Sequence, residues 1–224
     1  MDAVSAFNDN AEEYDRWYDE NGRVYRAELE AVRRFIPEGG RGLEVGVGTG
    51  RFAAPLGVRI GIDPSRNMLE IARSRGVDVR QARGERLPFA NGAFDYALMV
   101  AVDPFVADLG KVLLEARRVL KQGGQLIVAT IDRNSPLGSA YEAAKESDKF
   151  FRWATLHSAD ELIRAIKRAG FGAIRTVQTL LGPAGAFADR DHAHSVDGQD
   201  PFEVRDGYGE GAFIVISASK GPAI

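Results

Sequence analysis

The stretch LEVGVGTG, residues 43–50, constrains this chain more than any other. A short apolar run ends in three glycines at alternate positions, Gly46, Gly48 and Gly50, and a helical pattern begins directly after it. Glycines there let the backbone approach a ligand closely, and free N–H groups at a helix start favour a carboxylate or a phosphate. From Leu43 onward short β-rich runs keep alternating with helical patterns, the layout of a mostly parallel sheet with helices on both faces. Strands are expected over 42–45, 59–62, 77–81, 94–100, 124–131, 173–180 and 212–219, and the fold class is α/β.

A dinucleotide-binding turn would read GxGxxG, and the position that needs its third glycine is Arg51. That residue argues against a pyrophosphate site, and so against a nucleotide-dependent oxidoreductase, the alternative enzyme class. The second expected strand ends Ile62-Asp63-Pro64-Ser65, which sets Asp63 beside the glycine loop, where a carboxylate can accept both hydroxyls of a ribose. The structural alternative makes Asp63 the N-cap of a helix over 64–75, with Pro64 at its first position. Ser65 offers a second cap, which leaves Asp63 to a ligand.

At 224 residues, with 45% hydrophobic and 27% charged side chains, the chain can bury a core as a single domain spanning 1–224. Lys and Arg number 29 against 32 Asp and Glu, so the net charge of −3 supplies no general attraction for nucleic acid. The absence of cysteine excludes disulfides, thiolate nucleophiles and Cys-ligated metals, and it fits a reducing cytoplasm. The acidic N-terminus lacks the basic and apolar regions of an export signal, and the longest uncharged apolar run, 96–102, is far short of a membrane span. A cytoplasmic protein without a membrane partner is expected. Asp189, Asp191, His192 and His194 crowd one loop, but an irregular segment lacks the rigid context that fixes metal geometry, so no metal is expected.

Phe7, Ala11, Tyr14 and Tyr18 recur at three- and four-residue spacing, which places them on one face of an N-terminal helix, with Asp15 and Asp19 on another. Between the fifth and sixth strands, 136–149 is expected to be helical, broken at Ser147 and Asp148. Ser158 and Glu161 form a capping box for the next helix, and Gly170 stops it.

Four motifs in order over roughly 37–131, LEVGVGTGRFA, GIDPSRNMLEIAR, GERLPFANGAFDYALMV and EARRVLKQGGQLIV, resemble the class I S-adenosylmethionine-dependent methyltransferases, in particular the small ubiquinone-biosynthesis-like group. The resemblance implies a Rossmann-like seven-stranded sheet of order 3-2-1-4-5-7-6 with the seventh strand antiparallel. It also implies S-adenosylmethionine as cofactor and S-adenosylhomocysteine as product. Glu44 would orient the methionine amino group, Gly46, Gly48 and Gly50 would wrap the methionine and ribose, and Asp63 would hold the ribose hydroxyls. Met68 would line the adenine side, with Gly84 and Glu85 contacting adenine and the backbone of Ala101 and Val102 contacting the methionine part. Arg83 stands where similar sequences often carry Asp or Asn, and a guanidinium cannot accept from the adenine amine, so that acceptor passes to Gly84 or Glu85. Asp103-Pro104-Phe105 is similar to the Asp/Asn-Pro-Pro-Tyr/Phe motif of amino-group methyltransferases but lacks one proline, and it is taken here as a helix cap.

The implied reaction is in-line methyl transfer to a nucleophile of a small-molecule acceptor, catalysed mainly by positioning. An N-terminal helical cover over 1–36 and acceptor-side insertions at 133–157 and 182–211 would shape the acceptor pocket. Tyr14, Tyr18, Arg133 and His157 are the expected acceptor-binding residues, and His157 and Tyr14 the candidate catalytic groups, the histidine as a proton acceptor near neutral pH. The aromatic face of Tyr14, Trp17 and Tyr18 could also offer a cation–π contact to a sulfonium. A protein that binds the cofactor without transferring its methyl stays open, as do the acceptor and the oligomeric state.

Overall fold

Strand β1 (Gly42–Val45) lies in the middle of the parallel half of the sheet, paired with β2 (Ile60–Asp63) on one side and β4 (Phe94–Val100) on the other. The computed structural model describes residues 2–183 and 200–221. Its single sheet adds β3 (Asp78–Gln81), β5 (Leu120–Ile131), β6 (Phe171–Leu181), β7 (Arg205–Asp206) and β8 (Gly211–Lys220) in the order β3-β2-β1-β4-β5-β8-β6-β7. The first five strands run parallel and β8 inserts antiparallel between β5 and β6. The order expected for seven strands therefore holds, with one short strand added at the edge. β7 forms inside the long connection after β6, where Val177 and Gln178 pair with Asp206 and Arg205.

Side chains alternate across the sheet and feed two cores. Leu98, Val100, Ile127, Ala129 and Val215 face one layer, and Ala97, Met99, Leu126, Val128 and Ile216 face the other. The first face is covered by α2 (Ala11–Glu20), α3 (Gly22–Arg33) and the short α4 (Ala53–Leu56), the second by α6 (Leu109–Val119) and α8 (Ala159–Arg168). Burial of both faces is why these strands read as near-continuous apolar runs rather than as alternating ones.

The N-terminal region is three helices rather than one. α1 (Ala3–Asp9) stops where the Asn10 side chain donates to the Ala6 carbonyl, and α2 stops where the Asn21 side chain does the same to Trp17. At α5 (Arg66–Ser74) the N-cap is Ser65, whose hydroxyl accepts from Met68 N–H, so the helix begins after Pro64 and Asp63 is not its cap. The Lys121 to Gly124 turn is bulged into β5: Leu120 already pairs with Phe94, Gly123 turns at φ +72°, and the ladder resumes at Tyr96 with Gln125. α7 (Pro136–Ala144) gives way to single 3-10 turns at 145–147 and 151–153, as the break at Ser147 and Asp148 required. The capping box at Ser158 and Glu161 is present, and Gly170 takes φ +86° just past α8.

Candidate active site

The carboxyl ends of β1, β2 and β4 open onto one cleft. Gly46 leaves β1 at φ +70°, and a Cβ there would lie 2.3 Å from Val102 Cγ2, so only glycine lets the loop pass the β4 end. Gly48 is different: at φ +51° its side faces open space, with the ring of Tyr14 the nearest group at 4.0 Å. Gly48 N–H donates to Asp63 Oδ2 over 3.1 Å, and Ser65 N–H donates to Asp63 Oδ1 over 2.8 Å. Burial pushes the Asp63 carboxyl up to about 6 against these two bonds. A carboxylate has about four acceptor positions, so two remain for a ligand.

The cleft wall brings together Gly46, Gly48, Asp63 and Met68 with Gly84, Glu85, Ala101 and Val102. Ala101 holds φ +52°, an uncommon conformation for a residue with a side chain, at the point where β4 turns into the site. Glu85 is partly committed elsewhere, because its Oε1 accepts from Ala107 and Asp108 N–H. Glu44 and Gly50 do not line the cleft. Glu44 is buried beneath the loop with Oε2 lacking a partner, and burial pushes its carboxyl well above the usual range. Gly50 instead admits α5, since a Cβ would stand 3.2 Å from the Ala72 backbone.

Aromatic side chains cover the opening. Phe7 of α1 meets Phe105 edge-on at 4.9 Å and Tyr14 at 5.4 Å, and stacks on Phe150 from the segment after α7 at 5.0 Å. Lys149 pairs with Glu13 at 2.6 Å, so the N-terminal helices and the post-β5 segment touch each other above the cleft. Tyr14 and Tyr18 share a hydroxyl hydrogen bond of 2.8 Å, and burial pushes Tyr14 up to about 12 and Tyr18 well above the usual phenol range. Both phenols are neutral at physiological pH. Arg51, the residue that breaks the dinucleotide pattern, grips Asp15 with two nitrogens at 2.9 and 2.7 Å and reaches Asp19 at 2.7 Å. Arg75 adds Asp15 at 2.8 Å and the Thr49 carbonyl at 2.8 Å. The guanidinium pair ties α2 to the glycine loop.

Two expected acceptor residues lie elsewhere. His157 Nδ1 meets Asp103 Oδ2 at 3.0 Å, and Arg133 pairs with Glu161 at 2.8 Å and bonds the Leu156 carbonyl at 3.2 Å. Both border a separate surface depression with Leu109, Leu114 and Leu156, away from Asp63 and Tyr14. Asp103 is buried and makes no cap bond, so its expected capping role is corrected to a partnership with His157. Tyr18 stands behind Tyr14 rather than in the cleft wall. Asp189, Asp191, His192 and His194 lie outside the described residues, as does most of the 182–211 connection. Among the described residues no group of three or more His, Asp or Glu is placed to hold a metal ion. Sequence reasoning missed Phe7 and Phe105 as wall residues.

Residues 43–128 match the family model described as a methyltransferase domain. An uncharacterized protein of Methanocaldococcus jannaschii is 45% identical over 217 residues, 97% of this chain and 100% of its own length. A crystal structure of an S-adenosylmethionine-dependent methyltransferase from Thermotoga maritima, suggested to be a histamine N-methyltransferase, superposes with a TM-score of 0.87 at 44% identity, covering 96% of this chain and 99% of its own. The ubiquinone/menaquinone biosynthesis C-methyltransferase of Desulfotalea psychrophila is 30% identical over 68% of this chain and 76% of its own length.

Proposed function

The chain belongs to the class I S-adenosylmethionine-dependent methyltransferases, with S-adenosylmethionine as its cofactor, and from that premise we propose that it methylates a small-molecule acceptor beneath the aromatic cover. The observation that carries this reading is the convergence of the Gly48 loop, the Asp63 carboxylate and the Ala101–Val102 backbone on one cleft whose mouth is closed by Phe7, Tyr14 and Phe105. The residues present fit the cofactor. Asp63 keeps free acceptor positions for ribose hydroxyls, Gly48 leaves open space against the loop, and the Glu44 oxygen beneath it has no partner and is left as an acceptor.

The bound cofactor supplies an electrophilic methyl on a sulfonium, a leaving group that is already activated. The protein's task is therefore positioning and exclusion of water. The cover made by residues 1–36 and 133–157 excludes water from the cleft through the Phe7, Phe105 and Phe150 contacts. Tyr14, held neutral and bonded to Tyr18, acts as a hydrogen-bond partner rather than as a base. His157, turned to Asp103, plays no part in proton transfer at this cleft. The acceptor atom is not set by kinship, since the relatives above are named for carbon and nitrogen methylation.

Calorimetric titration tests the reading. S-adenosylmethionine and S-adenosylhomocysteine are expected to bind and nicotinamide and flavin dinucleotides not to, followed by methyl transfer in an acceptor library. Binding of a dinucleotide in preference to S-adenosylhomocysteine would overturn it, and cofactor binding with no methylated product across a broad library would favour a binding protein.

A further inference from the structure

The ring of Phe7 is enclosed by three other aromatic rings at the mouth of the cofactor cleft. Phe150 stacks on it at 5.0 Å with the planes 24° apart, while Phe105 and Tyr14 meet it almost perpendicularly at 4.9 and 5.4 Å. Tyr14 and Phe150 also touch each other at 5.7 Å, so the three form a box that a single ring fills. All these separations are ones that aromatic pairs favour. The walls come from separate parts of the chain: α2, the turn after β4 and the segment after α7. Phe7 itself is only half-buried, unlike Phe94 and Phe213 of the core, which are fully enclosed. Its helix is nevertheless anchored beside it, because the Asn67 side chain donates to the Asn8 carbonyl over 2.8 Å and Asn67 N–H donates to Asn8 Oδ1 over 3.2 Å. A rotamer change at Phe7 therefore empties the box without moving α1.

The box stands on the side of the cleft that the cofactor leaves to an acceptor. The charged residues of the wall, Asp63, Arg83 and Glu85, belong to the end of β2 and to the Gly84 turn, the cofactor side. What α1, α2 and the turn after β4 contribute is Ala3, Val4, Phe7, Tyr14, Phe105 and Val106, none of them charged. The one polar group among these side chains, the Tyr14 hydroxyl, is bonded to Tyr18, and the Lys149 and Glu13 charges above the box pair with each other at 2.6 Å. An ion or a strongly polar group brought into the box would lose its water without gaining a partner. An aromatic ring would reproduce the stack on Phe150 and the two perpendicular contacts that Phe7 makes, and a saturated ring would forfeit them.

Resting on the reading that this cleft methylates a small molecule, we propose that Phe7 holds the acceptor's place, that the acceptor carries an aromatic ring, and that its binding turns Phe7 out of the box formed by Tyr14, Phe105 and Phe150. Phe7 is then a specificity-determining residue in two ways. Its ring sets the size and the planarity of what can replace it, and its occupancy of the box lowers the apparent affinity for every acceptor by the fraction of time the box stands empty. Phe105 and Phe150 are the opposite case, walls that the acceptor's ring keeps as partners.

The test uses the full chain loaded with S-adenosylhomocysteine, as wild type, Phe7→Ala and Phe150→Ala. Each is titrated calorimetrically with a panel of phenols, anilines and indoles, every member paired with the saturated ring of the same skeleton, such as phenol with cyclohexanol. In the wild type the aromatic member is expected to bind at least about three-fold more tightly than its saturated partner. Phe7→Ala is expected to tighten aromatic binding by about three- to ten-fold, because no ring has to be displaced. Phe150→Ala is expected to weaken it by about three- to ten-fold, through loss of the stacking partner. Opposite signs at two residues that touch each other are what a place-holder produces, since two residues that merely pack the wall would both lose affinity. Should Phe7→Ala fail to fold, Phe7→Leu removes the ring, keeps an apolar side chain on α1 and reads the same sign. No member of the panel bound, saturated rings bound as tightly as aromatic ones, or aromatic binding unchanged or weakened on removal of the Phe7 ring overturns the proposal. Failure of the wild type to bind S-adenosylhomocysteine overturns the methyltransferase reading itself, so the two failures are distinguishable.

Discussion

Gly48 N–H donates to Asp63 Oδ2 across 3.1 Å, so the glycine loop after β1 and the acidic end of β2 form one unit even though the two residues are 15 apart in sequence. The bond orients the carboxylate without exhausting it. It also explains how one Asp serves the fold and a ligand: Ser65 takes the helix cap and leaves Asp63 in the cleft.

Asp63→Ala is therefore expected to weaken S-adenosylhomocysteine binding by about 1–3 kcal/mol, the loss of charge-assisted bonds to hydroxyls. With the free carboxyl raised to about 6, the wild-type affinity tightens as pH rises from 5 to 7 and then levels, because the ionised form is the acceptor. Calorimetry across that range checks it, and an equally steep dependence in Asp63→Ala would remove Asp63 from the ligand. The stability of the ligand-free protein moves the other way. Asp63 is raised above its ordinary 3.8, so its contribution is complete below about pH 4 and is lost as pH rises through about 6.

The Arg51 and Arg75 grip on Asp15 gives a second prediction. Burial pushes Asp15 up, but the bonds from Arg51 and Arg75 outweigh it and hold the carboxyl at about 2. Arg51 and Asp15 are each only 15% exposed, between the regimes of surface and buried pairs, so Arg51→Ala is expected to cost about 2 kcal/mol in urea unfolding. Arg51→Lys is expected to recover little, since an ammonium cannot reproduce the two-pronged contact. Because Asp15 lies below its ordinary value, this contribution is present above about pH 4 and lost as pH falls toward 2. An Arg51→Ala protein as stable as wild type at pH 7 would show that the grip does not hold α2.

The cover can be opened without touching the sheet. Removing residues 1–20 takes away Phe7, Tyr14 and Glu13, and with them the aromatic stack on Phe150 and the pair to Lys149. Turnover is expected to disappear while S-adenosylhomocysteine still binds, more weakly, to a folded sheet. In the full chain, hydrogen exchange in α2 and in 136–153 is expected to slow on addition of S-adenosylhomocysteine. Full turnover in the truncated protein would place the cover elsewhere.

Much of this site could be read from local pattern, because its parts are turns. The runs 42–45 and 94–100 are bounded by turn residues and buried on both faces, so their limits coincide with β1 and β4. Asp63 was legible for the same reason, since a strand, an acid and a Pro-Ser step stand together in the chain. What stayed hidden depends on distant partners. His157 could be placed in the post-β5 segment by its own neighbours, but its hydrogen bond reaches Asp103, 54 residues earlier, and no local pattern carries that. The break of the N-terminal helix at Asn10 stayed hidden because the apolar spacing of Phe7, Ala11, Tyr14 and Tyr18 continues through it, while its cause is one small polar side chain that bonds the Ala6 carbonyl. Glu28 reads as a solvent-facing charge by residue type, and only its register with Val24 and Ala31 places it inside.

His157 bonds Asp103 and lies outside the cofactor cleft, so its expected contribution is to stability. His157→Asn is expected to leave kcat within about two-fold of wild type while costing about 1–3 kcal/mol, since the buried Asp103 loses its hydrogen-bond partner and already has Oδ1 without one. Steady-state kinetics beside urea unfolding separate the two effects. A large fall in kcat with unchanged stability would return His157 to the reaction.

The two loop glycines that face the cleft differ in what an alanine would meet, and this separates folding from binding. At Gly46 the new Cβ would collide with Val102 at 2.3 Å in addition to the strain of φ +70°, so Gly46→Ala is expected to destabilise the apoprotein beyond the roughly 1–2 kcal/mol of a left-handed alanine. At Gly48 the same methyl points into open space, with Tyr14 no nearer than 4.0 Å, and only the conformational cost of about 1–2 kcal/mol applies. If that open space is where the cofactor lies against the backbone, Gly48→Ala fills it. The loss in S-adenosylhomocysteine affinity is then expected to exceed the loss in unfolding free energy, the reverse of the order at Gly46. Calorimetry and urea unfolding on both variants decide the matter, and a Gly48→Ala protein that binds S-adenosylhomocysteine as tightly as wild type would show that the cofactor does not approach the loop at this residue.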